Sequence, residues 1–161
     1  MTIAVGDTIP DVTIRTMTAS GPTPIQTAEI LGTGTTVLFA VPGAFTPTCS
    51  DFHLPSYILR NEELRAKDVD TIACLSVNDA FVMGAWGEQQ GVGDSVMMLA
   101  DGNGDFTRAL GLEMDGSGFG LGTRSQRYAM ILRDGVVEMI SIETAGGSIE
   151  KSGAEAVLAA L

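Results

Sequence analysis

Thr35-Thr36-Val37-Leu38-Phe39-Ala40-Val41 runs straight into Pro42-Gly43-Ala44-Phe45-Thr46-Pro47-Thr48-Cys49-Ser50, and no charged residue interrupts either part. A short apolar run rich in β-branched and aromatic residues, stopped by Pro-Gly, predicts a strand buried on both faces. Two more such runs follow at residues 70–77 and 95–100. Helical patterns lie between them. One covers residues 48–67, with Ile58, Leu59 and Leu64 on spacings near a helical turn, and Pro55 inside it is expected to kink or split it. The other covers 79–90, with Asn78 or Asp79 as a natural N-cap. Upstream, residues 12–17 alternate as a strand, 20–24 read as a loop, and 27–31 read as a helical turn stopped by Gly32 and Gly34. Downstream come a helix at 105–110 ended by Gly111 and a glycine-rich loop at 116–122. Residues 127–133 and 136–143 flank Asp134-Gly135, a strong hairpin signal. A terminal helix at 152–161 has Ser152 as its candidate cap. Strands alternating with helices, then a hairpin and a helix, predict an α/β fold with a central mixed sheet flanked by helices. Residues 1–161 read as one domain without repeat or linker.

The bulk composition narrows the function. Hydrophobic residues make up 45% and charged residues 18%, the balance of a globular chain. Twenty acidic residues against nine basic ones leave a net charge of −11. That charge disfavours nucleic acid and anionic membrane surfaces as partners. No apolar stretch is long enough for a membrane-spanning helix, and the N-terminus lacks the pattern of a secretory signal. Two cysteines in such a chain fit a reducing, cytoplasmic setting, with thiols that are reactive or buried rather than structural disulfides.

Cys49 stands out because it follows a buried strand and opens a helical pattern. A helix N-terminus presents unpaired N–H groups and a partial positive charge, which favour the nucleophilic thiolate. Pro42 and Pro47 stiffen the approach, and Thr46 sits where a disulfide reductase of the C-x-x-C type would carry its second cysteine. A hydroxyl cannot close that disulfide, but it can donate to the thiolate or to a peroxide oxygen, so disulfide exchange is disfavoured and attack on an O–O bond becomes a candidate chemistry. Such an attack leaves a cysteine sulfenic acid. Charge develops on the departing oxygen, so the site needs donors aimed there.

Residues 42–50, followed by His53-Leu54-Pro55, resemble the active-site segment of the peroxiredoxin-5 type, or type II, peroxiredoxins. Residues 73–82 with Trp86-Gly87, and then residues 125–130, resemble two further stretches of that family in the same order. The resemblance implies a thioredoxin-like fold with an N-terminal extension, and a thiol peroxidase acting on hydrogen peroxide and alkyl hydroperoxides. It implies Cys49 as nucleophile, Thr46 as the hydroxyl that orients peroxide and thiolate, and Arg127 as the arginine that polarises them. Pro42 would shield the sulfur, and the N–H groups of Gly43 and Cys49 would help bind substrate. Arg124 lies close enough to compete for the arginine role, although Arg127-Tyr128-Ala129-Met130 is the better match. His53, the only histidine, either tunes the site or sits on the helix surface. Cys74 lies in an apolar strand and reads as buried. The alternative makes it a resolving cysteine, since some plant relatives carry one at this spacing. With no third cysteine, a one-cysteine cycle follows, reduced by glutathione with glutaredoxin or by thioredoxin. No cofactor is expected. A homodimer through Phe45, Phe81 and the 116–122 loop is the expected assembly. The rival functions are a peroxide sensor oxidised once per molecule and a thiol-disulfide oxidoreductase, which Thr46 disfavours.

Other signals fall away on inspection. Residues 101–105 imitate half of a calcium loop, but Phe106 stands where glycine is needed and Leu112 where glutamate is needed. The glycines at 116–122 do not fit G-x-G-x-x-G. One histidine and two separated cysteines do not make a zinc site. The eight methionines read as core filler.

Overall fold

The computed structural model describes residues 1–144 and 147–161. Its frame is a seven-stranded mixed sheet in the order β2-β1-β5-β4-β3-β8-β9. These strands are β1 (Thr13–Thr18), β2 (Gly21–Gln26), β3 (Thr35–Ala40), β4 (Thr71–Ser76), β5 (Met97–Ala100), β8 (Tyr128–Arg133) and β9 (Val136–Ile142). β3, β4 and β5 run parallel, and β8 joins β3 antiparallel. A separate two-stranded ribbon pairs β6 (Glu113–Asp115) with β7 (Thr123–Ser125). The helices are α1 (Thr27–Leu31), α2 (Leu54–Leu59), α3 (Asn61–Ala66), α4 (Ala80–Gln90), α5 (Asp105–Leu110) and α6 (Ala154–Ala160).

β3 is buried along its whole length, as its uninterrupted apolar run requires. Its alternation divides the core in two. Val37 and Phe39 join Leu54, Tyr57, Cys74 and Trp86 on one face, whereas Leu38 and Ala40 join Leu31, Leu75, Leu99 and Phe106 on the other. Register then carries the site residues into place. Phe39 lies opposite Cys74 on β4 and opposite Ala129 on β8. Residue 127, two positions before Ala129, therefore faces the same side as Cys74, next to the loop that leaves β3. A slip of one residue would turn it to the other face.

The structure corrects three local expectations. Residues 20–24 are not a loop: β2 pairs with β1 from Gly21 to Gln26, through Pro22 and Pro24. Those prolines are tolerated because β2 is an edge strand. Pro55 does not break its helix. A π turn, Cys49–His53, precedes it, with the Leu54 N–H bonded to the Cys49 carbonyl, and this widened turn accommodates the proline. The break falls at Arg60 instead (φ −97°, ψ 12°). Ser152 does not cap the last helix; Gly153 occupies that position. The glycine-rich loop lies where expected, at 116–122, as the tip of the β6–β7 ribbon, and contains a 3₁₀ turn, Ser117–Phe119. Asp79 caps α4 as expected, accepting from the Val82 N–H at 2.9 Å. Asp134 and Gly135 both adopt positive φ (50° and 79°), the combination of a tight hairpin turn.

Candidate active site

The chain leaves β3 into the Pro42–Cys49 segment and turns sharply. Phe45 is held at φ 66°, an uncommon conformation for an aromatic residue. Helical turns then begin at Pro47, a position where a missing N–H costs nothing. The Thr46 carbonyl accepts from the Ser50 N–H at 2.9 Å, so Cys49 lies in the first turn, among N–H groups with no acceptor inside the helix. Its side chain is fully buried.

Arg127 meets it there. Arg127 is 4% exposed. Nη2 donates to Cys49 Sγ at 3.1 Å, and Nη1 donates to His53 Nδ1 at 2.8 Å. Arg127 Nε has no partner among the described residues. The Nη2 contact sets a buried positive charge directly against the sulfur. His53 Nε2 in turn donates to the Ser152 carbonyl at 3.0 Å. Arginine offers only donors and a carbonyl only accepts, so His53 is the neutral Nε2–H tautomer. Burial first, and the Arg127 charge second, push its pKa down to about 3. His53 is not a helix-surface residue. The widened turn keeps it on the same face as Cys49, and that face is the buried one.

Thr46 Oγ1 donates to the Gly43 carbonyl at 2.7 Å. Its proton is therefore committed in the resting structure, and its lone pairs are left to accept from a peroxide O–H. Arg124 stands apart from the sulfur. Its Nε donates to the Leu121 carbonyl at 2.9 Å and its Nη1 to the Pro42 carbonyl at 3.3 Å, bracing the loop on which Pro42 sits. Gly43 sits in a tight place: a Cβ there would lie 3.0 Å from Arg124 Nη1 and 3.1 Å from Thr46 Cγ2, so both side chains would have to shift by a few tenths of an ångström. A cavity of about 280 Å³ opens at this point, bordered by Pro42, Arg127, Met114 and Glu143.

Several contributors were not legible as site residues. Asn78 Oδ1 accepts from the Ala44 N–H at 3.0 Å and from Ser76 Oγ at 2.6 Å, anchoring the loop from below. Trp86 Nε1 donates to Ser50 Oγ at 2.9 Å. Tyr57 stacks on Phe39 (3.8 Å between ring centres) and donates to the Ser152 carbonyl at 2.5 Å. The single tryptophan and the asparagine beside a helix start were visible in the sequence, but nothing there ties them to Cys49. Cys74 is fully buried in the same core cluster as Cys49, and both are free thiols. Burial, more than the neighbouring Cys49, holds the Cys74 thiol well above the usual cysteine range.

The Redoxin family model matches residues 4–158. Peroxiredoxin-2E-2, chloroplastic, from Oryza sativa subsp. japonica is 54% identical over 165 residues, covering 99% of this chain and 73% of the rice protein. The crystal structure of reduced Prx3 in complex with H2O2 from Vibrio vulnificus has a TM-score of 0.93 at 54% identity, covering 98% of both chains. Peroxiredoxin 5 from Alvinella pompejana has a TM-score of 0.85 at 38% identity, covering 98% of this chain and 96% of its own. The fold is thus thioredoxin-like, and the chain belongs to the redoxin family as a type II, peroxiredoxin-5-like thiol-dependent peroxidase.

Proposed function

We propose that Cys49 is the peroxidatic residue of a one-cysteine cycle. Its thiolate attacks the terminal oxygen of R–O–OH. The S–O bond forms as the O–O bond breaks, RO⁻ departs and takes a proton, and Cys49 becomes a sulfenic acid. One external thiol then displaces water to give a mixed disulfide. A second thiol releases Cys49 and leaves as the oxidised disulfide. The observation that carries this reading is the Arg127 fork, which donates to Cys49 Sγ with one arm while His53 holds the other. Arg127 also faces the cavity, where its charge can meet the oxygen on which negative charge builds. Thr46 orients the peroxide by accepting from its O–H. Pro42 covers the sulfur, the Gly43 and Cys49 N–H groups assist, and Arg124 braces the loop.

Glutathione with glutaredoxin is the proposed reductant, ahead of thioredoxin. A fully buried sulfur favours a small thiol as the first attacker. A compartment rich in reduced thiols, such as the cytoplasm, suits that cycle. Phe45, Phe81 and Phe119 are 48%, 67% and 89% exposed, which supports a homodimer through that surface. The test is peroxide consumption by the purified chain with each reductant system, beside Cys49→Ser. Turnover lost in the mutant is expected. Equal turnover in the mutant would refute the assignment, and a single stoichiometric oxidation would point to a sensor.

A further inference from the structure

Glu143 is a buried carboxylate (9% exposed) with no role in the chemistry above. A carboxylate is not buried without engaged lone pairs. Here a single oxygen, Oε2, accepts from Ser152 Oγ at 2.6 Å, from the Ser152 N–H at 2.6 Å and from the Lys151 N–H at 2.9 Å. Those contacts set the orientation of the Ser152 peptide, whose carbonyl receives both His53 Nε2 and the Tyr57 hydroxyl. The Glu143 backbone N–H meanwhile donates to the Arg127 carbonyl at 2.9 Å. The contacts therefore close a ring. It runs from the Arg127 backbone to the Glu143 backbone, through the Glu143 carboxylate to Ser152, on to His53, and back to the Arg127 guanidinium. Both ends of the arginine are fixed against one another.

The ring closes with one form of His53 only. If the Ser152 carbonyl turned away, the imidazole would be free to carry its proton on Nδ1. That proton would confront the Arg127 Nη1–H donor, and the arm that holds the guanidinium towards Cys49 would be lost. We propose that Glu143 and Ser152 are positioning residues for the peroxidase reaction: through the Ser152 carbonyl they select the Nε2–H tautomer of His53 and so aim Arg127 at Cys49. The inference rests on the reading of Cys49 and Arg127 given above.

His53 is the only histidine, so long-range ¹H–¹⁵N NMR of the full, reduced chain shows a single imidazole. In the wild type the expected pattern is a protonated Nε2 and a bare Nδ1. In Glu143→Ala the tautomers should mix, and the rate constant for Cys49 oxidation by hydrogen peroxide should fall by about tenfold to a hundredfold, the scale of a misplaced catalytic group. Glu143→Gln keeps an acceptor oxygen and should restore most of the rate and the Nε2–H pattern. Ser152→Ala, which deletes only the hydroxyl contact, should lie between wild type and Glu143→Ala and serves if Glu143→Ala does not fold. An Nδ1–H imidazole or an imidazolium in the wild type overturns the proposal without any variant. So does a folded Glu143→Ala that loses rate with the tautomer unchanged, or that keeps both. A wild-type chain that turns over peroxide while the variants are indistinguishable from it refutes this inference alone. A wild-type chain without turnover refutes the Cys49 cycle, and the inference falls with it.

Discussion

Replacing Arg127 with lysine separates the charge of the guanidinium from its shape. Arg127 makes two directed contacts with a rigid fork, 3.1 Å to Cys49 Sγ and 2.8 Å to His53 Nδ1. Lysine keeps the charge but offers a single nitrogen on a flexible stem, so it satisfies at most one of these at good geometry. At 4% exposure, solvent does not replace the lost partner. A hydrogen bond to a charged group contributes about 1.5–3 kcal/mol, so the loss corresponds to about tenfold to a hundredfold in the rate of Cys49 oxidation. The assay is built into the chain. Trp86, the only tryptophan, donates to Ser50 next to Cys49, so its fluorescence should report sulfur oxidation in a stopped-flow experiment. Arg127→Lys oxidised within twofold of the wild-type rate, with its fold intact, would refute the idea that the fork matters rather than the charge.

Thr46→Val keeps the shape of the side chain but removes its acceptor and its bond to Gly43. It is expected to lower kcat/KM by about a hundredfold, measured by steady-state peroxide consumption. Cys74→Ala should leave turnover intact, cost about 1 kcal/mol in urea unfolding, and yield a Cys49 sulfenic acid with one equivalent of peroxide; mass spectrometry of the wild type showing a Cys49–Cys74 disulfide would refute the one-cysteine cycle. His53 gives a pH signature. Its folded pKa, about 3, lies below its ordinary value of 6.5, so the folded state binds fewer protons. Its stabilising contribution is complete above pH 6.5 and is lost as pH falls towards 3, at about 1.4 kcal/mol per pH unit. Thermal unfolding between pH 6.5 and 5 should therefore show a steeper loss of stability in the wild type than in His53→Gln.

The order of elements was legible wherever one physical signal dominated. The charge-free run of β3, the Asp134-Gly135 turn and the Asp79 cap each state a local preference that the tertiary structure does not oppose. β2 was hidden because its prolines remove donors, and only its place at the sheet edge makes that harmless. At the site, the Thr46–Cys49 spacing was legible because it is local. His53 was half legible: four residues from Cys49 it had to share a face, but no sequence rule said that the face was buried. The Ser152 carbonyl, 99 residues from His53, carries no side-chain signal, because the contact is made by the backbone. Glu143 was legible as an acid at the end of a strand, not as one turned inward.

The prolines of β2 have a consequence for the whole molecule at high concentration. The ladder between β1 and β2 continues through Pro22 and Pro24, so the N–H groups these residues lack are those that would otherwise point away from the sheet. A strand arriving from another chain would meet two pyrrolidine rings in place of two donors. This border of the sheet is thereby closed to open-ended stacking of one chain upon the next.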